Sequence, residues 1–205
     1  YFAEKIKCPI YVSGFARSLV ENRLKEFGLL EKTKLITLEK SKTINLSHFN
    51  LDFIATTHSI PEPAAILIKT KYGNLLHTAD WKIDPDPILG ENFDTNAFKK
   101  IGNEGLLALI GDSTNADVPG YSESEAKVKE ELIKLFSRYS HRIVITCFSS
   151  NIVRLESIGV AAKKNNRKVV LVGRSMKKTI DAAIENKIIK ENINFITEEE
   201  ASHIP

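Results

Sequence analysis

Two segments of the sequence place a side chain suited to metal binding where an apolar run ends. The stretch IATTHSIPEP (54–63) puts His58 directly after such a run, and Pro61 and Pro63 then prevent the segment from continuing as a paired strand. The stretch NLLHTADWKID puts Asp80 in a similar position. Imidazole and carboxylate are standard zinc ligands, so His58 and Asp80 are a candidate metal pair. On residue type alone, a structural histidine with satisfied hydrogen bonds is the alternative.

Three further polar clusters follow predicted strands and suit phosphate. The loops FSSN and GRSM each join a predicted strand to a helix N-terminus, where free backbone N–H groups and the helix dipole favour an anion. Arg174 adds a forked donor that fits phosphate. If the two strands are neighbours, both loops open at one sheet edge and form a track for a polyanion. Helix capping alone is the alternative for each cluster, including that of Asp112, Ser113 and Thr114.

These positions depend on a predicted change of organisation along the chain. Short strands with few helices are predicted to about Asn115, and strands alternate with helices after it, which favours a parallel sheet with right-handed crossovers. Ser122 and Glu125 form a capping-box pattern. The predicted helices cover residues 15–27, a short region near Phe98, 122–139, 152–164 and 176–187. Gly28 stands where a C-cap glycine of the first helix is expected. The predicted strands are CPIYVSG, KLITL, LDFIATT, AAILIKT, NLLHTA, LLALIG, RIVITCF, KVVLVG and INFI.

Composition narrows the class of protein. The 205 residues are 42% apolar and 27% charged, which excludes a disordered chain and allows a sizeable core. The net charge is +3, but residues 163–190 hold nine Lys or Arg against two acidic residues, so the rest of the chain sums to −4. This basic block favours an acidic partner, and a solvated helix face is the alternative.

Cysteine use and apolar runs indicate the compartment. Cys8 and Cys147 are too far apart in sequence to suggest a disulfide framework, which predicts a reducing, cytoplasmic environment. No apolar run has the length that a membrane span needs, so no membrane partner is predicted. The chain begins without Met, and we expect it to be an internal piece of a longer protein, with a processed product as the alternative.

Five motifs in order, THSIP, HTADWK, GDSTNADVPGYSESE, FSSNIVR and GRSM, resemble those of the ribonuclease J family. Its members are metallo-β-lactamase-fold nucleases with an inserted β-CASP domain. The resemblance implies an α/β fold. Residues 1–116 would form the second portion of an αββα metallo-β-lactamase fold, and residues 117–205 the first portion of a Rossmann-like β-CASP domain with a parallel sheet.

The resemblance also implies a two-zinc site and an RNA substrate. His58 maps onto a zinc ligand and Asp80 onto the carboxylate that bridges the two metal ions. RNA or phosphate contacts are implied for Asp112, Ser113, Thr114, Ser150, Asn151, Arg154, Arg174 and Ser175. The implied activity is metal-assisted hydrolysis of RNA phosphodiester bonds, by a 5′-to-3′ exonuclease and endonuclease of RNA processing and decay. A homo-oligomer is implied for the complete protein.

The sequence departs from the family pattern in ways that keep other functions open. Ala79 stands where Gly is usual, Trp81 where Phe is common and Ser149 where Ala is usual. The motif H-x-H-x-D-H, which supplies most ligands of the first metal, does not occur, so the chain carries only two of the metal ligands. The alternatives are a catalytically inactive RNA- or partner-binding fragment and a small-ester hydrolase. An incomplete sheet also predicts exposed strand edges and association.

Overall fold

The elements of the fold follow one another largely in the predicted order, in a mixed α/β arrangement. The computed structural model describes residues 2–38, 43–189 and 193–204. Its strands are β1 (Ile10–Val12), β2 (Leu35–Thr37), β3 (Ile44–Asn45), β4 (Phe49–Ala55), β5 (Ala64–Thr70), β6 (Gly73–His77), β7 (Ala108–Ile110), β8 (Val169–Val170) and β9 (Phe195–Ile196). Its α-helices are α1 (Ala3–Ile6), α2 (Gly14–Glu26), α3 (Thr95–Glu104), α4 (Glu125–Phe136), α5 (Ile152–Lys164), α6 (Arg174–Glu185) and α7 (Glu198–Ser202).

A five-stranded sheet forms the centre of the first half. Its strand order is β3-β4-β5-β6-β7, antiparallel from β3 to β6 and parallel between β6 and β7. Ala65 and Leu67 of β5 alternate onto the buried face, where they pack with Leu76 and with Ile101 of α3. Because β4, β6 and β7 run in the same direction, their carboxyl ends lie at one edge of the sheet.

A smaller parallel pair, β1 and β2, precedes this sheet and is joined by α2. Ser13 caps α2 by accepting the Ala16 N–H at 3.4 Å, and Gly28 follows the helix at a φ of 65°, as the sequence predicts. The Glu62 carboxylate accepts the Phe15 N–H at 2.8 Å. This bond fixes the start of α2 to the segment that follows His58.

The second half contains the predicted helices but fewer paired strands than expected. α5 has the predicted bounds, and α6 begins two residues earlier than predicted. β8 pairs in parallel with β9, Val169 with Phe195 and Val170 with Ile196. No helix among the described residues has the length and apolar character that crossing a bilayer requires.

The predicted strand RIVITCF is wrong. Residues 143–148 belong to no strand in the described part of the chain, and β8, their expected neighbour, bonds to β9. A strand needs a hydrogen-bonding neighbour, which β-branched composition alone does not supply. Val144 and Phe148 are 90% and 83% exposed. The loops FSSN and GRSM therefore do not follow two neighbouring strands in the described part of the chain. The predicted track for a polyanion depended on that arrangement, so its condition is not met.

The largest apolar core joins the two halves of the chain. Phe15 of α2 and Leu89 cluster with helix residues from beyond residue 150, among them Ile152, Leu155, Ile180, Ala182 and Ala183. At the rim of this core the Asn186 side-chain amide donates to the Ser18 hydroxyl at 2.8 Å, and Lys178 forms an ion pair with Glu26. Residues on both sides of the predicted 116/117 boundary thus share one core; the boundary itself stays a prediction.

Candidate active site

The sheet places three predicted site residues at the same edge. His58 follows β4, Asp80 follows β6 and Asp112 follows β7, and these three strands run in one direction. Ligands of α/β proteins gather at such carboxyl ends. The shared edge is therefore the candidate active site.

His58 lies in a loop that is tied to the loop after Asp80. The buried Thr57 pairs with Lys82: the Lys82 N–H donates to the Thr57 carbonyl at 2.9 Å, and the Thr57 hydroxyl donates to the Lys82 carbonyl at 2.5 Å. The Asp84 N–H donates to the same hydroxyl at 3.0 Å. His58 is half-buried, and its Nδ1 lies 3.1 Å from the Ser59 Oγ. Thr57 thus fixes the position from which the imidazole extends.

Asp80 is exposed and follows a residue in an unfavourable backbone conformation. Ala79 has a φ of 53°, a left-handed value that glycine adopts without steric cost. The completely buried Thr78 supports it, because its hydroxyl donates to the Ala79 carbonyl at 2.8 Å. The Ala79 N–H donates to Nδ1 of His77 at 3.0 Å. The hydrogen bonds of Ala79 with Thr78 and His77 hold the turn that presents Asp80.

Asp112 is joined to the same turn. Its N–H donates to the Thr78 hydroxyl at 3.0 Å, and its carboxylate accepts the hydroxyl and the N–H of Thr114 at 2.6 and 2.9 Å. These Thr114 bonds hold the pKa of the Asp112 carboxyl below its usual range, and the Trp81 N–H and the nearby His58 ring act in the same direction. The three strand ends therefore meet around Asp112, whereas Ser113 is exposed beside it.

The N-terminus of α5 reaches the His58 loop. Asn151 caps this helix, since its side-chain oxygen accepts the Arg154 N–H at 2.8 Å. The Val153 N–H donates to the Ser59 carbonyl at 3.4 Å. Ser150 is exposed at the start of this turn. The structure thus brings the predicted residues Ser150 and Asn151 to the edge that carries His58.

Arg154 is held by an acidic side chain that the sequence did not identify as part of the site. Its Nε and Nη2 donate to the two carboxylate oxygens of Glu125 at 3.2 and 3.0 Å. The predicted capping box of Ser122 and Glu125 is wrong: Ser124 caps α4 by accepting the Lys127 N–H, and Glu125 is buried. Because three acidic or hydroxyl residues precede α4, spacing alone does not distinguish the capping residue.

Comparisons with known proteins match the whole chain to one family. The beta-CASP domain family of ribonuclease J matches residues 140–205. The chain is 38% identical over 200 residues to ribonuclease J of Sinorhizobium meliloti, covering 98% of this chain and 36% of that protein. It is 36% identical over 206 residues to ribonuclease J of Thermus thermophilus, covering 100% and 36%. The chain belongs to the ribonuclease J family.

This membership confirms the resemblance drawn from the five motifs, and it concerns part of a larger protein. The chain spans about a third of the length of these ribonuclease J relatives, and ribonuclease J2 of Bacillus subtilis, at 34% identity, is covered to 33%. A solved Enterococcus faecalis protein of unknown function has the same fold, with a TM-score of 0.63 at 16% identity over 92% of this chain and 52% of that one. These relatives are named ribonuclease J or J2, and a ribonuclease is a nuclease that acts on RNA.

Two departures from the ribonuclease J pattern have visible structural counterparts. Ala79 occupies the left-handed position described above, so a residue with a Cβ stands where the backbone favours glycine. Trp81 joins an aromatic cluster, with ring centroids 5.8 Å from both Phe93 and Phe98. This cluster anchors the Asp80 loop to α3. The larger indole therefore has a structural partner in Phe98.

Arg174 and Ser175 stand apart from the meeting point of the ribonuclease J motifs. They begin α6 behind Gly173, which has a φ of 106°, and both are exposed. Among the described residues, no hydrogen bond or ion pair joins them to the loops of His58, Asp80 or Asp112. Of the basic block, Lys177 pairs with Glu198 and Lys178 with Glu26.

The donor set fits part of the zinc site that ribonuclease J membership implies. Within residues 2–38, 43–189 and 193–204, no three His, Cys, Asp or Glu side chains come together as metal ligands. A structural zinc takes four protein ligands and a catalytic zinc usually three. His58 and Asp80 therefore do not suffice for a closed site by themselves.

Proposed function

We propose that this chain contributes to a zinc-dependent ribonuclease that hydrolyses RNA phosphodiester bonds. The proposal includes the 5′-to-3′ exonuclease and endonuclease activities of RNA processing and decay, a homo-oligomeric complete protein and a cytoplasmic location. One observation carries it: the tips of β4, β6 and β7 and the start of α5 meet at one sheet edge, with His58, Asp80 and Asp112 at the tips. Family membership supports the same reaction class.

His58 and Asp80 would supply part of the zinc ligand set. Zinc, when bound, supplies a Lewis acid and lowers the pKa of a bound water. This chain's own contribution is to hold the two donors in place. Thr57 fixes the His58 loop through its bonds to Lys82, and Thr78 fixes the turn before Asp80. Among the described residues, no third His, Cys, Asp or Glu side chain completes a metal-ligand cluster with them.

The RNA backbone would run along the exposed polar residues near this edge. Ser113 and Thr114 lie beside Asp112, and Ser150 and Asn151 lie at the start of α5. Helix N-termini present N–H groups that suit phosphate oxygens. Arg174 and Ser175, at the start of α6, would contact the RNA farther from the reacting phosphate.

A second candidate, RNA binding without cleavage, is favoured by the incomplete donor set. A chain that holds only part of the ligands binds zinc weakly and does not position a nucleophile. The polar edge formed around Asp112 and Ser150 does not depend on the metal. Affinity for RNA with a steep salt dependence, and no metal-dependent cleavage, would identify this function.

The test combines zinc content, RNA binding and RNA cleavage for this chain and two variants, each placed within a complete ribonuclease J that supplies the remaining metal ligands. His58→Ala and Asp80→Ala are compared with His141→Ala, an exposed histidine outside the site. The proposal expects zinc-stimulated cleavage of an end-labelled single-stranded RNA that both site variants lose and the control retains. RNA binding without cleavage in every protein would replace it with the second candidate. A chain that neither binds nor cleaves RNA would refute both.

A further inference from the structure

Four charged side chains form a connected network next to the loops of the candidate site, and the sequence did not predict that they contact one another. They are Lys82, Asp84, Glu125 and Arg154. Asp84 and Glu125 have side chains only 2% and 8% exposed, and Lys82 and Arg154 are 22% and 32% exposed. The Lys82 Nζ lies 3.3 Å from an Asp84 oxygen and 3.4 Å from a Glu125 oxygen. Arg154 binds both oxygens of Glu125. Two partly exposed positive charges therefore compensate two buried negative charges.

A backbone bond completes the network. The Glu125 N–H donates to an Asp84 carboxylate oxygen at 2.9 Å, and the other Asp84 oxygen accepts the Asp86 N–H at 3.0 Å. Removing one member leaves its partners charged and buried, which is unfavourable unless the loops move. The four side chains thus restrict the relative position of the elements that carry them.

Two of those elements, the loop after β6 and the first turn of α5, also carry a predicted site residue. Lys82 is two residues beyond Asp80, and its backbone bonds to Thr57, the neighbour of His58. Arg154 lies in the first turn of α5, three residues after Asn151. Glu125, the first residue of α4, contacts both cations. The network therefore connects the metal-ligand loops with the polar turn of α5.

We propose that Arg154, Glu125 and Lys82 are positioning residues, which hold the α5 turn against the loops of His58 and Asp80, and that Arg154 acts through Glu125 instead of contacting RNA. The inference rests on the proposed RNA-binding function for its purpose, but the positioning itself is tested without RNA. The bidentate pair occupies the Nε and Nη2 donors of the guanidinium, one of the two donor pairs that a phosphate could use.

Trp81 offers a direct readout of this positioning because it is the chain's only tryptophan and precedes Lys82. Fluorescence of the folded chain is recorded for Arg154→Met, Arg154→Lys and Glu125→Gln, far below each unfolding midpoint. The control is Lys178→Met, which removes a more exposed ion pair with Glu26. We expect a shifted emission and greater acrylamide quenching in Arg154→Met and Glu125→Gln, partial restoration in Arg154→Lys, and no change in the control.

Two fluorescence results would overturn the proposal. Unchanged Trp81 emission and quenching in folded Arg154→Met and Glu125→Gln would show that the network does not position the Asp80 loop. An equal change in Lys178→Met would show a general loss of stability instead. If Arg154→Met does not fold, the milder Glu125→Gln and Arg154→Lys variants decide, because they keep the side-chain volume or the charge.

Salt-dependent binding of a single-stranded RNA oligonucleotide separates positioning from direct contact. The logarithm of the RNA-binding constant falls linearly with the logarithm of the salt concentration. Each lost phosphate contact makes this slope shallower by about 0.7 for single strands. We expect Arg154→Met to weaken RNA binding without changing this slope, whereas Arg174→Met should make the slope shallower. A slope lowered equally by Arg154→Met would overturn the assignment of Arg154. Absence of RNA binding in the unmodified chain would refute the proposed function, and the fluorescence result would still decide the positioning.

Discussion

The backbone N–H of Val153 donates to the carbonyl oxygen of Ser59, 3.4 Å away, and so joins the first turn of α5 to the loop of His58. These two residues are far apart in sequence and belong to different predicted domains. A loop that supplies a candidate metal ligand is thus bonded directly to a helix start that suits phosphate. The candidate site is formed between the two halves of the chain. A substitution in the His58 loop is therefore expected to affect the start of α5, and a substitution in α5 to affect the His58 loop.

Ala79→Gly is expected to stabilise the protein by about 0.5–1 kcal/mol. The left-handed conformation of Ala79 costs more than the extra freedom that glycine has in the unfolded chain. Urea denaturation measures the change. Ala126→Gly, in the first turn of α4, is the control and should destabilise the protein, by less than the roughly 1 kcal/mol of a helix interior. Destabilisation by both changes would contradict the conformational argument.

Gly90→Ala is expected to destabilise the protein by about 2 kcal/mol or more and to disturb the His58 loop. A Cβ at this position would overlap the Pro61 carbonyl oxygen, and Gly90 also has a φ of 82°. Gly102→Ala in α3 is the matched control, since its Cβ meets no atom within 4 Å and the helix favours alanine. Equal unfolding midpoints for Gly90→Ala and the unmodified protein would disprove the overlap.

Asp84 is expected to make stability fall in acid. Burial raises the pKa of its carboxyl, but the N–H groups of Glu125 and Asp86 and the charge of Lys82 outweigh burial, so the pKa lies below its ordinary value of 3.8. A lowered pKa stabilises the folded state above pH 3.8, and this stabilisation is lost as the pH falls through the folded value. Thermal unfolding between pH 7 and pH 2 measures it.

Asp84→Asn should remove that acid dependence and cost about 3 kcal/mol at neutral pH, because an amide N–H then faces donors and Lys82 loses one of its two carboxylate partners. Asp86→Asn, at an exposed position, is the control and should keep the dependence of the unmodified protein. An unchanged acid profile in Asp84→Asn would assign the loss of stability to other carboxylates.

Thr78→Val is expected to cost about 1–3 kcal/mol although it keeps the side-chain shape. The buried hydroxyl donates to the Ala79 carbonyl and accepts the Asp112 N–H, and valine leaves both groups unpaired. Chemical denaturation gives the cost, and hydrogen exchange of the Asp112 amide should become faster. Thr146→Val, at an exposed position, should change neither quantity. Unaltered exchange at Asp112 would argue against the bond.

We expect copies of the chain to associate with one another through the edge strand β7. Leu109 and Ile110 are 61% and 49% exposed on β7, the last strand of the five-stranded sheet, and one side of β7 has no paired strand among the described residues. Light scattering after size exclusion should show a mass that rises with concentration, and Leu109→Lys should lower it. Tyr121→Lys changes an exposed loop residue and should have no such effect. A concentration-independent monomeric mass would contradict this view.

Local patterns predicted those elements whose cause is local. α5 was predicted from its helical periodicity, and Gly28 was expected after α2 because a helix end favours a left-handed glycine. The strand ends that carry His58 and Asp80 were recognisable because prolines and polar residues follow apolar runs. Their meeting at one edge needed the sheet topology, which the spacing of the motifs alone does not give.

Ion pairs between distant residues and the pairing of strands were not predictable from the sequence. Glu125 was read as a helix cap because Ser-x-x-Glu has that meaning locally, yet its carboxylate binds Arg154, 29 residues away. Residues 143–148 have strand composition but lack a bonded neighbour in the described part of the chain. In both cases the deciding contact comes from a distant segment.

The core shared by Phe15 and Ile180 has a consequence for synthesis on the ribosome. The two residues are about 165 positions apart, so α2 emerges long before the helices that cover it. At typical elongation rates of 5–20 residues per second, Phe15 would wait on the order of ten to thirty seconds for its partners. During that interval the apolar side chain of Phe15 stays uncovered on the nascent chain, and we expect chaperones that bind exposed apolar residues to recognise this segment.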